Sequence, residues 1–135
     1  MRILIPLAAL ALTAGCAATP QETAREDARQ AREVARLERS LAGWSPGKPT
    51  SCIQTRNANV QIYGDTLVYD DGARRYRTQT TGGCFGLRRD DIIVTRSFGA
   101  SLCQGDIVRT VDRTAGFPSG ACAFGEFVPY TRNRR

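Results

Sequence analysis

From residue 51 onward, short apolar runs separated by turns dominate the chain. Gly-Asp and Asp-Gly pairs lie between these runs, as is common where two strands form a β-hairpin. We predict strands at residues 60–63, 66–69, 74–80, 91–98, 106–113 and 121–128. Their spacing predicts a mainly β fold, namely a small antiparallel β-barrel or sandwich of about six strands that follows an N-terminal helix.

Residues 22–41 predict that helix, because they are rich in Ala, Arg and Glu. Thr19 and Glu22 have the spacing of a capping box, and Gly43 follows the helix as a stop signal. Large apolar residues are few, so a solvated spacer is favoured over a coiled-coil or partner-binding helix. The predicted segments are 1–15 lipoprotein signal peptide, 16–21 tether, 22–41 charged helix, 42–50 Pro/Gly linker, 51–130 four-Cys β domain and 131–135 basic tail.

The first residues have the pattern of an export signal: a positive start, an apolar run and small residues. Leu12-Thr13-Ala14-Gly15-Cys16 resembles the lipobox of bacterial lipoproteins, in which the cysteine becomes the lipidated N-terminus. Thr13 departs from the branched apolar residue that the lipobox prefers at this place. The alternative is an ordinary secretory signal cut after Ala18. We predict lipidation at Cys16, with the lipid bilayer as partner.

Ala17 follows the predicted lipidation site, where an aspartate would be the inner-membrane retention signal of Gram-negative bacteria. By this resemblance the protein is expected in the cell envelope, at the periplasmic face of the outer membrane. The formal net charge of +6 comes largely from the chain ends, because residues 21–41 hold as many acids as arginines. Arg132, Arg134 and Arg135 are candidates for contact with an anionic surface, and no nucleic-acid partner is expected.

The 135 residues include five cysteines and no histidine. With Cys16 assigned to the lipid, four cysteines remain for a disulfide framework in an exported domain. Each of them lies near the end of a predicted strand, and alternation of strand direction favours the pairs Cys52–Cys103 and Cys84–Cys122. The long spacings and the absence of histidine argue against a metal site, and we expect no cofactor.

An enzyme is not expected, because the usual acid–base and nucleophilic motifs are missing and most acids lie in turns. Glu126 is the exception, since it lies in an otherwise apolar strand; it is the candidate for a hydrolase that also uses an Asp. The aromatic residues are expected to form the core rather than a ligand groove. They are Tyr63, Tyr69, Tyr76, Phe85, Phe98, Phe117, Phe124, Phe127 and Tyr130.

Several sequence contexts together resemble a proteobacterial family of short exported four-cysteine proteins of unknown function, with the sequence features of lipoproteins. The resemblance covers roughly residues 50–130 and lies in Cys52-Ile53, Asp65 to Tyr69, Gly83 to Leu87, Leu102 to Ile107 and Gly120 to Pro129. It implies a four-Cys envelope domain and no particular activity. The leading hypothesis is a non-enzymatic binding or envelope-accessory domain that contacts an envelope protein or polymer. The alternatives are a periplasmic inhibitor of a lysozyme or protease, and the hydrolase based on Glu126.

Overall fold

The fold is given by a computed structural model that describes residues 19–56, 58–97 and 99–134. It is mainly β, with one N-terminal helix and a curled antiparallel half-barrel sheet, as the sequence pattern predicts. The helix is α1 (Pro20–Leu41). The strands are β1 (Trp44–Pro46), β2 (Cys52–Gln54), β3 (Asn59–Tyr63), β4 (Thr66–Asp70), β5 (Arg74–Thr81), β6 (Ile92–Thr95), β7 (Ser101–Cys103), β8 (Ile107–Val111) and β9 (Pro118–Arg132). A 3₁₀ helix (Phe85–Arg89) lies between β5 and β6.

Helix α1 begins two residues earlier than predicted. Thr19 caps it: the Glu22 N–H donates to the Thr19 hydroxyl, and the Glu22 carboxylate accepts from the Thr19 N–H at 2.9 Å. Pro20 fits the first helical position, because its missing N–H would have no partner there. None of the helix residues is buried, so the helix lies on the surface of the domain.

The sheet runs in the order β3-β4-β5-β9-β8-β6, and every neighbouring pair is antiparallel. The meander predicted for the first three of these strands is present. Strand β9 is 15 residues long and lies between β5 on one side and β8 on the other. Strands β2 and β7, which sequence reasoning did not separate from their surroundings, form a second, two-stranded sheet.

Two of the predicted boundaries are wrong. The predicted linker 42–50 contains β1, in which Trp44 pairs with Arg132 and Pro46 pairs with Tyr130. The predicted basic tail 131–135 starts inside β9, which continues through Arg132. Both errors have one cause. Strand β1 and the last residues of β9 pair with each other, and neither segment by itself has a strong strand pattern.

The core lies inside the curl of the sheet and is built around Phe124, Phe127, Leu67 and Val108. Tyr69 packs edge-on against both phenylalanines, with ring centroids 6.1 and 6.4 Å away. In a regular strand, residues three apart would point to opposite faces. The register between β5 and β9 shifts between Thr78 and Thr80, which marks a bulge and brings Phe124 and Phe127 into the same core.

Candidate functional site

A groove of about 570 Å³ lies between α1 and the sheet. One wall is the side of α1 from Glu26 to Leu37, and the other is formed by the β3–β4 hairpin and the 3₁₀ helix. Helix α1 is solvated, as expected for a spacer, but it contacts the domain from Glu26 onward and does not project away from it. The groove is lined by Glu26, Arg29, Gln30, Glu33, Val34, Arg36, Leu37, Val60, Gln61, Ile62, Tyr63, Gly64, Asp65, Thr66, Gln79, Leu87, Arg88 and Asp90.

Arg88 joins the two walls at one end of the groove. Its guanidinium lies 2.8 Å from the Glu26 carboxylate on α1 and 2.6 Å from the Asp65 carboxylate on the hairpin. The hydrogen bond to Asp65, together with its charge, raises the pKa of Arg88. Arg88 is only one-third exposed, so the two carboxylates share a cation that is partly withdrawn from water.

A second basic group lies further along the helix. Arg36 is 3.0 Å from the Glu33 carboxylate, and its guanidinium lies 5.4 Å from the centroid of the buried Tyr63 ring. This cation–π contact joins α1 to the end of β3. The apolar side chains of Val34, Val60 and Ile62 also line the groove.

The groove therefore presents charges of both signs beside an apolar strip. Such a surface can hold an extended polar chain through hydrogen bonds and aliphatic contact. The lining includes no Ser, Cys or His, the residues that most often act as nucleophile or base. Within residues 19–56, 58–97 and 99–134, no group of three His, Cys, Asp or Glu side chains could hold a metal ion.

Glu126 lies outside this groove. It is exposed on the bulge of β9, and Gly125 beside it contacts the β5 backbone so closely that a Cβ there would come within 2.6 Å of the Gln79 carbonyl oxygen. A glutamate in an apolar strand is thus explained by the bulge, which turns Glu126 toward solvent. Of the acids predicted in turns, Asp65 lies in the β3–β4 turn and Asp106 directly follows the turn after β7. Asp70 ends β4 and Asp71 follows it, and both accept hydrogen bonds from backbone N–H groups two or three residues ahead.

The four domain cysteines form the disulfides Cys52–Cys103 and Cys84–Cys122, the pairing that the alternation of strands favoured. Cys52 and Cys103 face each other across β2 and β7. Cys84 and Cys122 are buried, and they hold the start of the 3₁₀ helix against β9. Cys16, the predicted lipidation site, lies outside the described residues.

Sequence reasoning missed a buried polar cluster beside the 3₁₀ helix. The Ser119 hydroxyl donates to the Asp91 carboxylate, and the Thr110 hydroxyl lies 3.0 Å from the same Ser119 oxygen. Asp91 is only 5% exposed. Gly86 packs directly on the cluster, where a Cβ would collide with Thr110 and Asp91. Arg89 makes only a peripheral contact with the cluster, 3.8 Å from the Asp91 carboxylate.

The basic residues of the C-terminal segment lie at the opposite end of the domain. The Arg132 guanidinium stacks over the Trp44 ring at 5.1 Å, and that of Arg75 stacks over it at 4.5 Å. Arg75 also bonds Asp70 at 2.8 Å and donates to the Ser40 carbonyl near the end of α1. Arg132 is thus part of the fold; Arg134 lies just beyond the strand, and Arg135 lies outside the described residues.

The aromatic residues divide between core and surface. Tyr63, Tyr69, Phe124 and Phe127 are buried as expected, and burial raises the pKa of the Tyr69 hydroxyl. Tyr76 and Tyr130 are half-buried, and Phe98 lies outside the described residues. The expectation of a core position is wrong for Phe85 and Phe117, which are 71% and 73% exposed.

None of the helices in the described part of the chain is long and apolar enough to cross a membrane. Comparison of the chain with family models, with curated proteins and with solved structures finds no match. The proposals below therefore depend on the residues and on their geometry.

Proposed function

We propose that this protein is a lipid-anchored accessory protein of the cell envelope, which binds an envelope protein or polymer in the groove beside α1 without catalysing a reaction. The observation that carries the proposal is the division of the cysteines. Two disulfides use all four cysteines of the domain, and the fifth cysteine of the sequence, Cys16, stands at the end of the predicted lipobox.

Export from the cytoplasm agrees with the assignment of four cysteines to disulfides and of Cys16 to the lipid. Structural disulfides form and persist in oxidising compartments, among them the bacterial periplasm. The apolar run before Cys16 has the composition of a signal peptide, and Ala17 in place of aspartate favours the outer membrane. The resemblance to short exported four-cysteine proteins agrees with the same location.

The groove supports a binding role. Arg88 and Arg36 offer several donors, Glu33 and Asp65 offer acceptors, and the lining also includes apolar side chains. A partner in the envelope would meet a preformed surface, since both walls are joined through Arg88. Binding to preformed surfaces costs little ordering entropy.

Cys16→Ser tests the anchor. We expect the wild type to fractionate with membranes and to have a mass increased by acyl chains, and the variant to be released. The double variant Cys52→Ala/Cys103→Ala is the control, because it also removes cysteines but keeps Cys16. If Cys16→Ser stays with the membrane at an unmodified mass, the anchor is wrong.

A photo-reactive amino acid at Gln61 tests the groove. Gln61 is exposed and lines the groove, whereas Glu126 is exposed away from it and serves as the matched control. We expect covalent adducts in living cells at Gln61 and none at Glu126. An adduct with a lysozyme or protease whose activity falls on addition of the protein would support the inhibitor alternative. Equal labelling at both positions would contradict a role for the groove.

A further inference from the structure

One end of the domain presents two phenylalanines to solvent. Phe85 begins the 3₁₀ helix, and Phe117 lies in the turn between β8 and β9. Their exposures, 71% and 73%, are the largest among the large hydrophobic residues in the part of the chain that the structure describes. Exposing two aromatic rings is unfavourable in water, so a surface of this kind indicates contact with an apolar partner.

The two rings are held on ordered segments. The Asp112 carboxylate accepts hydrogen bonds from the Thr114 and Ala115 N–H groups at 2.9 and 2.7 Å, and the Asp112 N–H donates to the Phe117 carbonyl at 2.9 Å. Arg113 in the same turn donates to the Asp90 carbonyl at 3.2 Å, one residue beyond the 3₁₀ helix. The two segments are therefore joined side by side.

The direction of α1 places this end near the predicted lipid. Glu26 in the first part of α1 contacts Arg88 of the 3₁₀ helix, whereas Ser40 near its end contacts Arg75. The helix thus runs from the phenylalanine end toward Trp44. From Thr19 to Glu26 it rises about 10 Å, and the three residues from Cys16 to Thr19 span at most about 10 Å.

We infer that the end carrying Phe85 and Phe117 lies on the bilayer, with both rings inserted among the lipid headgroups and upper acyl chains. The inference rests on the proposed lipid anchor at Cys16. An anchor within about 20 Å of Glu26 keeps this end at the membrane surface, and a second point of attachment adds to the binding of the lipid chains.

The contact is apolar rather than electrostatic. At this end, Arg88 is paired with Glu26 and Asp65. Arg89 and Arg113 are each about 60% exposed, and Asp90 and Asp112 balance their charge. A zwitterionic bilayer is therefore sufficient. The basic C-terminal residues lie at the other end, beside Trp44, so an anchored domain holds Arg132 and Arg134 away from the bilayer.

Fluorescence quenching can test this orientation, because Trp44 is the single tryptophan and lies at the opposite end. The lipidated protein is reconstituted into phosphatidylcholine vesicles whose acyl chains carry bromine, a contact quencher. The reporter variant is Phe117→Trp combined with Trp44→Phe, and the wild type is the matched control. Phe117 is exposed, so the reporter leaves the core unchanged.

We expect the indole introduced by Phe117→Trp to lose most of its intensity and to shift its emission to shorter wavelength, while Trp44 is unaffected. Quenching should be strongest for bromines close to the headgroup, because interfacial apolar groups lie about 5–10 Å deep. Flotation with the vesicles reports the anchor separately. Protein that does not float contradicts the lipid anchor and the orientation together. Protein that floats with an unquenched reporter, or with both positions quenched equally, contradicts the orientation alone.

Discussion

The Arg88 guanidinium lies 2.8 Å from the Glu26 carboxylate, and this contact joins the 3₁₀ helix to the first part of α1. A helix with no buried residue has little hydrophobic burial to hold it in place. Its position on the domain depends on a few polar contacts, and Arg88 makes the one nearest to its start.

Arg88→Gln is expected to loosen the start of α1. The pair is one-third to one-half exposed, so the loss in global stability should be under about 1 kcal/mol. Hydrogen exchange should accelerate in residues 20–30 and remain unchanged in residues 36–41. Arg29→Gln is the control, because Arg29 contacts Glu26 only within the helix, at 3.5 Å. Equal acceleration in both variants would argue against a contact that holds the helix to the domain.

Arg75→Gln should cost about 2 kcal/mol of unfolding free energy, because hydrogen bonds to charged groups are worth roughly 1.5–3 kcal/mol. Arg75 is half-buried and contacts Asp70, Trp44 and the Ser40 carbonyl. The neighbouring Arg74 is exposed, so Arg74→Gln should change stability by less than about 0.5 kcal/mol. Urea unfolding measures both, and a similar loss in the two variants would contradict the role given to Arg75.

Each disulfide should contribute about 4 kcal/mol through loop closure, because the bridges span 51 and 38 residues. Cys84→Ala/Cys122→Ala should nevertheless cost more than Cys52→Ala/Cys103→Ala. Cys84 and Cys122 are buried in the core, where their removal leaves a cavity, whereas Cys52 is exposed. Denaturant midpoints of the two double variants decide this order, and the reverse order would count against it.

Acid should destabilise the protein partly through Asp70. Burial acts to raise the pKa of this carboxyl, but the Gly72 N–H and the Arg75 guanidinium outweigh burial and hold the pKa below its ordinary value of 3.8. The resulting stability is fully present above that value and is lost as the pH falls through the folded-state pKa. Unfolding free energies measured from about pH 6 to about pH 2 should fall less steeply in Asp70→Asn than in the wild type.

Arg75→Gln separates the two causes of the Asp70 shift. It removes the guanidinium but keeps the Gly72 N–H, so its acid dependence should lie between those of the wild type and Asp70→Asn. An acid dependence identical in all three proteins would show that Asp70 takes no part.

Ser119→Ala should cost about 1–3 kcal/mol, because it leaves the buried Asp91 carboxylate without its hydroxyl donor. Ser51→Ala, at an exposed position, should have almost no effect. Thermal unfolding followed by circular dichroism can compare the two variants. A neutral Ser119→Ala would mean that water replaces the lost hydroxyl and that the cluster is less enclosed than the structure indicates.

The sequence pattern was sufficient to predict those elements that depend on residues close together in the chain. The capping box at Thr19 and Glu22, the hairpin at Gly64 and Asp65 and the mainly β class follow from residues close together in the chain. The disulfide pairs are those that strand alternation favoured, although Cys52 and Cys103 lie in a two-stranded sheet that the sequence pattern did not predict.

Long-range features could not be derived in the same way. Strand β1 forms because Trp44 pairs with Arg132 at the end of β9. Nothing in residues 42–50 alone indicates that this segment pairs with the end of the chain's last strand. The bulge near Gly125 breaks the two-residue alternation that strand prediction assumes. This bulge explains why Glu126 faces solvent although its neighbours in the strand are apolar. The groove and the exposed Phe85 and Phe117 depend on which elements pack side by side.

The order of folding follows from the place of β9 in the sheet. Strand β9 is the last element of the described chain, yet β1, β5 and β8 all pair with it. All three strands precede β9 in the chain and are therefore synthesised before it. The Cys84–Cys122 disulfide likewise cannot form until Cys122, in β9, has been synthesised. The contacts of β1 and β5 with β9 are distant in sequence and form slowly, whereas β8 and β9 are consecutive strands. The half-barrel therefore closes only when β9 is in place, because β9 joins the β3–β4–β5 meander to β8 and β6.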